Sequence, residues 1–166
     1  MNDSRILIVA HSPLASALLQ CALHVFPDCG QYVAALDVQA DEHPQESLDR
    51  ALQQLARLPV GEAACVGHAA PLLVLTDLFG ATPSNVAHRL AALSMAGVSA
   101  VRVIAGVNLP MLVRAISYRH EPLADWVERA VSGGVNGVLA LPETSVQATQ
   151  FQQHHSHDPQ QNHHQQ

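Results

Sequence analysis

The chain has 166 residues, 48% of them hydrophobic, and a net charge of −6 with histidine neutral, which fits one domain, or one domain and a tail, around a real core. All eight basic residues are arginine, which excludes Schiff-base lysine chemistry, a pyridoxal-phosphate anchor and a Gly-Lys-Ser/Thr phosphate loop. The acidic balance gives no field for a nucleic-acid backbone, no apolar run approaches the ~20 residues that a bilayer needs, and the apolar run after MNDSR is too short for a signal-peptide core.

Strand-like and helix-like runs alternate along the chain. Ile6 to Ala10 is continuously apolar, as in a strand buried on both faces. Ser12-Pro13 reads as an N-cap and first helical residue, followed by Leu14, Leu18, Leu19 and Leu23 at helical spacing. Tyr32 to Leu36 reads as a second strand. His43-Pro44 opens a helix with Leu48, Leu52, Leu55 and Leu58 on one face, and Leu72 to Thr76 is a third buried strand. Gly80-Ala81-Thr82-Pro83 repeats the cap-then-proline signal before a helix through Val86, Leu90 and Leu93. Val101 to Ala105 is a fourth strand, Leu109 to Ser117 and Leu123 to Val131 are helices, and Gly137 to Leu141 is a short last strand. This alternation predicts an α/β fold: a doubly wound, mainly parallel sheet with helices on both faces, in the manner of a flavodoxin-like three-layer sandwich. Residues 1–142 form the domain. Residues 143–166, polar and rich in histidine and glutamine, bury too little apolar surface to fold alone and read as a disordered, inert tail. Cys21, Cys29 and Cys65 have no metal-like spacing, which points to a reduced, cytoplasmic compartment and inert thiols.

Open α/β sheets bind ligands beyond the carboxyl ends of their strands. That rule selects His11, Asp37, Asp77 with the Gly80 to Asn85 turn, and Gly106-Val107-Asn108. Asp37, Ser84 and Asn108 serve equally well as caps or turn formers. His11 stands out because it directly follows a buried strand and precedes a helix start. His24, His68, His88 and His120 read as surface or packed side chains. No second histidine or cysteine on the rim completes a metal site, and there is no Gly-x-Ser-x-Gly for a serine triad. A nucleophilic histidine needs a carboxylate on Nδ1–H so that Nε2 keeps its lone pair. Asp77 can supply it if the first and third strands are neighbours. Helix starts at Ser12 and Thr82 would turn free N–H groups toward an anion held there, with the Thr82 hydroxyl beside them.

Three stretches, ILIVAHSPLA, LVLTDLFGATPSNVA and VIAGVNLPML, resemble the IIA component of the mannose family of bacterial phosphotransferase systems, in the same order over Arg5 to Leu141. The resemblance implies an α/β sandwich that is usually a homodimer, with a last strand able to pair, antiparallel, across the subunit interface. It implies a histidine phosphorylated by HPr, fed by phosphoenolpyruvate through enzyme I, which passes the phosphoryl group to a IIB partner. The phosphorylated histidine falls on His11, its aspartate on Asp77 and its hydroxyl on Thr82; Ser12, Gly80, Ser84 and Asn108 are supporting residues. The transfer requires no cofactor and no metal. Ser12-Pro13 departs from the glycine that often follows the histidine, and GATP from the more frequent GGSP.

With no second domain after the tail, the acceptor is a separate IIB component or a regulatory target protein. The Asp-x-x-Gly-x-Thr-Pro turn points away from the branch that feeds a dihydroxyacetone kinase. The alternatives are a metal chelatase, which needs a second rim ligand, a histidine phosphatase, which needs an arginine where Ala10 stands, and a non-catalytic binding module.

Overall fold

The computed structural model describes residues 4–58 and 69–141. Its element order is β1 (Arg5–His11), α1 (Leu14–Val25), a short 3-10 turn (Pro27–Gln31), β2 (Val33–Val38), α2 (Pro44–Arg57), β3 (Ala70–Thr76), α3 (Thr82–Ala91), β4 (Val98–Ala105), α4 (Leu109–Ser117) and α5 (Leu123–Asn136). Four parallel strands lie in the order β2-β1-β3-β4. β1 and β3 are central, and their apolar runs are covered on both faces, as expected of a parallel sheet.

Alternate residues of each strand face opposite layers. Ile6, Ile8 and Ala10 of β1 pack with Leu18 of α1, Leu112 and Ile116 of α4 and Trp126 of α5. Leu7 and Val9 pack with Leu48 and Leu55 of α2 and Val86 and Leu90 of α3. Each fully covered leucine or isoleucine contributes about 1.5–3 kcal/mol. Trp126 is fully buried, and its indole N–H donates to the Ala115 carbonyl at 2.7 Å, so burial leaves no unpaired donor. The doubly wound expectation therefore holds, with α1, α4 and α5 on one face and α2 and α3 on the other.

Three local expectations are corrected. Ser12 does not cap α1: the helix starts at Leu14, Pro13 holds the cap position and bonds no helix N–H through its side chain, and the Ser12-Pro13 peptide is cis. Thr82 is the first residue of α3 rather than its cap, which is Ala81 in extended conformation. The last strand is absent: α5 runs on to Asn136, and residues 138–141 form no strand. The glycines beyond Val131, where the sequence pattern ends the helix, permit close packing. A Cβ at Gly133 would lie 2.3 Å from Arg114 Cγ, and one at Gly137 2.4 Å from Pro110 Cβ, so α4–α5 contact compensates for their poor helix propensity. Within one chain the apolar run after Gly137 meets no ladder partner, and Val138, Leu139 and Leu141 are exposed. His68, Cys65 and the tail from residue 143 lie outside the described residues.

Candidate functional site

The strand order places the ends of β1 and β3 side by side, at the point where the chain winds away in opposite directions (β1 to β2 on one flank, β3 to β4 on the other). A crevice opens at such a switch point. His11 is the last residue of β1 and Asp77 the first beyond β3. The ladder between these strands runs through the Val9–Thr76 pair. Beyond it the Asp77 carboxylate takes over the role of a backbone carbonyl: Oδ2 accepts the His11 backbone N–H at 2.9 Å and lies 2.8 Å from His11 Nδ1. The Leu78 N–H donates to Oδ1 at 2.8 Å. Burial alone would raise the Asp77 pKa. The bonds from the His11 N–H, the His11 ring and the Leu78 N–H, with the attraction of the His11 ring, outweigh that and hold it below the ordinary aspartate value. An ionised carboxylate only accepts, so Nδ1 is the donor in this contact, and the tautomer it favours has its lone pair on Nε2. The His11 side chain is 48% exposed, against 13% for Asp77. The pair is thus a covered acceptor beneath an open ring.

The other expected residues divide. Thr82 opens α3, and the N–H groups of Thr82 and Ser84 have no partner among the described residues. Gly80 turns the chain into α3 with φ +82°, a left-handed conformation suited to glycine. Ser84 is buried with its hydroxyl unpartnered, so its side chain is enclosed rather than on the rim. Ser12 is exposed and its N–H continues the ladder to the Val38 carbonyl at 3.0 Å. Asn108 caps α4, accepting the Met111 N–H at 3.0 Å, and donates to the Gly134 carbonyl of α5 at 3.2 Å. Asp37 accepts the Ser16 N–H at 3.1 Å, which places a carboxylate at the α1 N-terminus.

Two contributions were not legible in the sequence. Gly106 donates its N–H to the Asp77 carbonyl at 2.8 Å, and the backbone of Leu78 steadies the carboxylate. Backbone donors carry no residue-type signal; only the glycine itself hinted at an unusual turn. Leu78 and Phe79, 63% and 76% exposed, flank the site, and the Phe79 ring meets His88 edge-on at 6.3 Å. A cavity of about 860 Å³ lies elsewhere, along α4 and α5, lined by Pro110, Arg114, Glu121, Arg129 and Gly137 among others. Among the described residues no group of three His, Cys, Asp or Glu side chains is placed to hold a metal ion, and no helix is long and apolar enough to cross a membrane.

The chain is 29% identical over 144 residues to the PTS system mannose-specific EIIAB component of Escherichia coli (strain K12), a match covering 86% of this chain and 41% of that protein. The chain thus spans about two fifths of the length of the curated relatives it matches. Among solved structures it shares its fold with the phosphotransferase system component EIIA from Streptococcus agalactiae (TM-score 0.66, 24% identity, 82% of this chain and 96% of that one). It also shares it with the mannose/sorbose specific IIA subunit from Enterococcus faecalis (TM-score 0.59, 24% identity, 87% and 100%). The model of the PTS system fructose IIA component family matches residues 5–131, and the chain accordingly belongs to that family.

Proposed function

We propose that this protein is a IIA phosphocarrier that takes a phosphoryl group from phospho-HPr on His11 Nε2 and passes it to a IIB component or a regulatory target protein, with residues 1–142 as the carrier domain. The observation that carries the reading is the His11 Nδ1 to Asp77 contact at 2.8 Å, which leaves Nε2, without a partner among the described residues, on a half-exposed side chain. In the transfer the Nε2 lone pair forms the new N–P bond as the P–N bond of the donor breaks. The departing electron pair stays on the donor nitrogen. The proton on Nδ1 stays in place, and Asp77 offsets the positive charge the ring acquires. The phosphoryl oxygens meet the free N–H groups of Thr82 and Ser84 and the Thr82 hydroxyl at the positive end of α3. Positioning and charge stabilisation suffice for such a step, and no cofactor takes part.

An exposed ring on an open rim, flanked by exposed Leu78 and Phe79, suits a phosphoryl group presented on another protein's surface better than an enclosed small molecule. A homodimer also fits. Among the described residues no strand pairs with the outer edge of β4, and the exposed run through Val138, Leu139 and Leu141 could pair across a subunit interface.

Incubation with phosphoenolpyruvate, enzyme I and HPr tests the reading. Wild type acquires acid-labile phosphate and His11→Ala acquires none. A wild type that stays unlabelled ends the proposal.

A further inference from the structure

Asp77 is gripped from both sides. Its carboxylate meets β1 through His11, and its backbone carbonyl meets the turn after β4. There the Gly106 N–H donates to the Asp77 carbonyl at 2.8 Å and the Val107 N–H to the Thr76 carbonyl at 3.0 Å. Gly106 makes this reach with φ +87°. The turn is itself tied down: the Asn108 side chain accepts the Met111 N–H at 3.0 Å and donates to the Gly134 carbonyl at 3.2 Å. Gly134 is buried, and a Cβ there would lie 2.7 Å from Met111 Cε and 3.4 Å from the Asn108 amide nitrogen, so a glycine at 134 leaves room for α5 to receive the Asn108 bond.

We propose that Gly106 and Asn108 are positioning residues that fix the Asp77 backbone, and through it the Nδ1–H tautomer of His11. Asn108 thereby acts from behind the site rather than on the phosphoryl group. The physical reason is geometric. A carboxylate selects one tautomer only if its oxygen stays within hydrogen-bond distance of Nδ1, and Asp77 lies beyond the end of the β1–β3 ladder, where no further strand bond with β1 holds it. The Gly106 bond replaces that missing constraint. The inference deepens the reading of His11 as the reacting group and rests on it.

Gly106→Ala isolates the effect, because a Cβ at that position meets nothing within 4 Å and disturbs only the left-handed backbone. Gly97→Ala is the control. Gly97 has φ +72° and equally open surroundings, but it precedes the opposite end of β4. Nitrogen-15 NMR of the His11 ring reads the tautomer, and labelling with phosphoramidate reads the reactivity of Nε2 without any partner protein. Gly106→Ala is expected to shift population from Nδ1–H to Nε2–H and to slow phosphoramidate labelling about tenfold, the equivalent of about 1.4 kcal/mol. Gly106→Asn, a residue that tolerates left-handed backbone, recovers part of both and serves as the test if the alanine variant does not fold. Gly97→Ala lowers stability and leaves the tautomer as in wild type. Wild-type tautomer populations in the folded Gly106 variants overturn the proposal. A wild type with the Nδ1–H tautomer that accepts phosphate from phosphoramidate but not from HPr breaks the phosphocarrier reading and leaves the positioning role standing.

Discussion

Two helices begin at the rim of the sheet near His11, and they end their backbones differently. At α1, Asp37 of β2 already accepts the Ser16 N–H, so a carboxylate sits at the positive pole of the helix. At α3, the cap position is Ala81, and among the described residues no side chain caps the end and the Thr82 and Ser84 N–H groups have no partner. A helix N-terminus is an anion site only while its donors and dipole are uncompensated. Both helices look alike as cap-then-proline sequences, and each keeps two N–H groups without a partner among the described residues, yet at α1 a carboxylate more than twenty positions away offsets the positive pole and at α3 none is bonded to it. On the function proposed above, this difference favours the α3 side of His11 for the phosphoryl group.

The largest effect is expected from removing the Asp77 charge bonded to His11. Asp77→Asn leaves the fold intact but no longer dictates the His11 tautomer, and by analogy with buried aspartate–histidine pairs phosphoryl transfer falls by up to about 10⁴-fold. Its stability also loses a pH-dependent part. Because folding depresses the Asp77 pKa, that contribution is present above the unfolded value near pH 4 and disappears as pH falls through the lower folded value. Unfolding curves of wild type and Asp77→Asn should therefore converge below about pH 4; a gap that stays constant with pH removes the charge from the explanation.

Ala81→Asp makes α3 resemble α1. The backbone at Ala81 is already extended, as a cap requires. The variant should gain about 1 kcal/mol in urea unfolding. It should transfer phosphate about tenfold more slowly, because the new carboxylate occupies the donors and repels the anion. Faster transfer would show that α3 does not receive the phosphoryl group. The smallest effect on chemistry belongs to Asp37→Ala, which costs about 1–2 kcal/mol of stability through the lost bond to Ser16 while leaving the labelling rate as in wild type. If it slows labelling as much as Ala81→Asp does, the distinction between the two helices fails.

Much of the fold was legible because local pattern and global layer agree. The apolar runs of β1 and β3 are continuous since both faces are covered, and α4 spans Leu109–Ser117 where the sequence places it. The end of the chain was not legible. The sequence pattern ends the helix at Val131, and the close approach of α4 at Gly133, Gly134 and Gly137 is visible only in the tertiary structure. Val138 to Leu141 has strand composition, but a strand requires an edge to pair with, which residue type cannot supply.

By itself the sequence determined which groups stand at the carboxyl ends of the strands: a histidine after β1, a carboxylate after β3, a threonine at a helix start. It did so because strand and helix periodicities fix the place of each residue in its element. Tertiary structure decided what those groups do to one another. The order β2-β1-β3-β4 brought His11 within 2.8 Å of Asp77, put Asp37 on α1 instead of in the crevice, and assigned Asn108 to the helices behind the site. A hydrogen bond depends on distance and direction in space, and those follow from which strands are neighbours rather than from the spacing of residues along the chain.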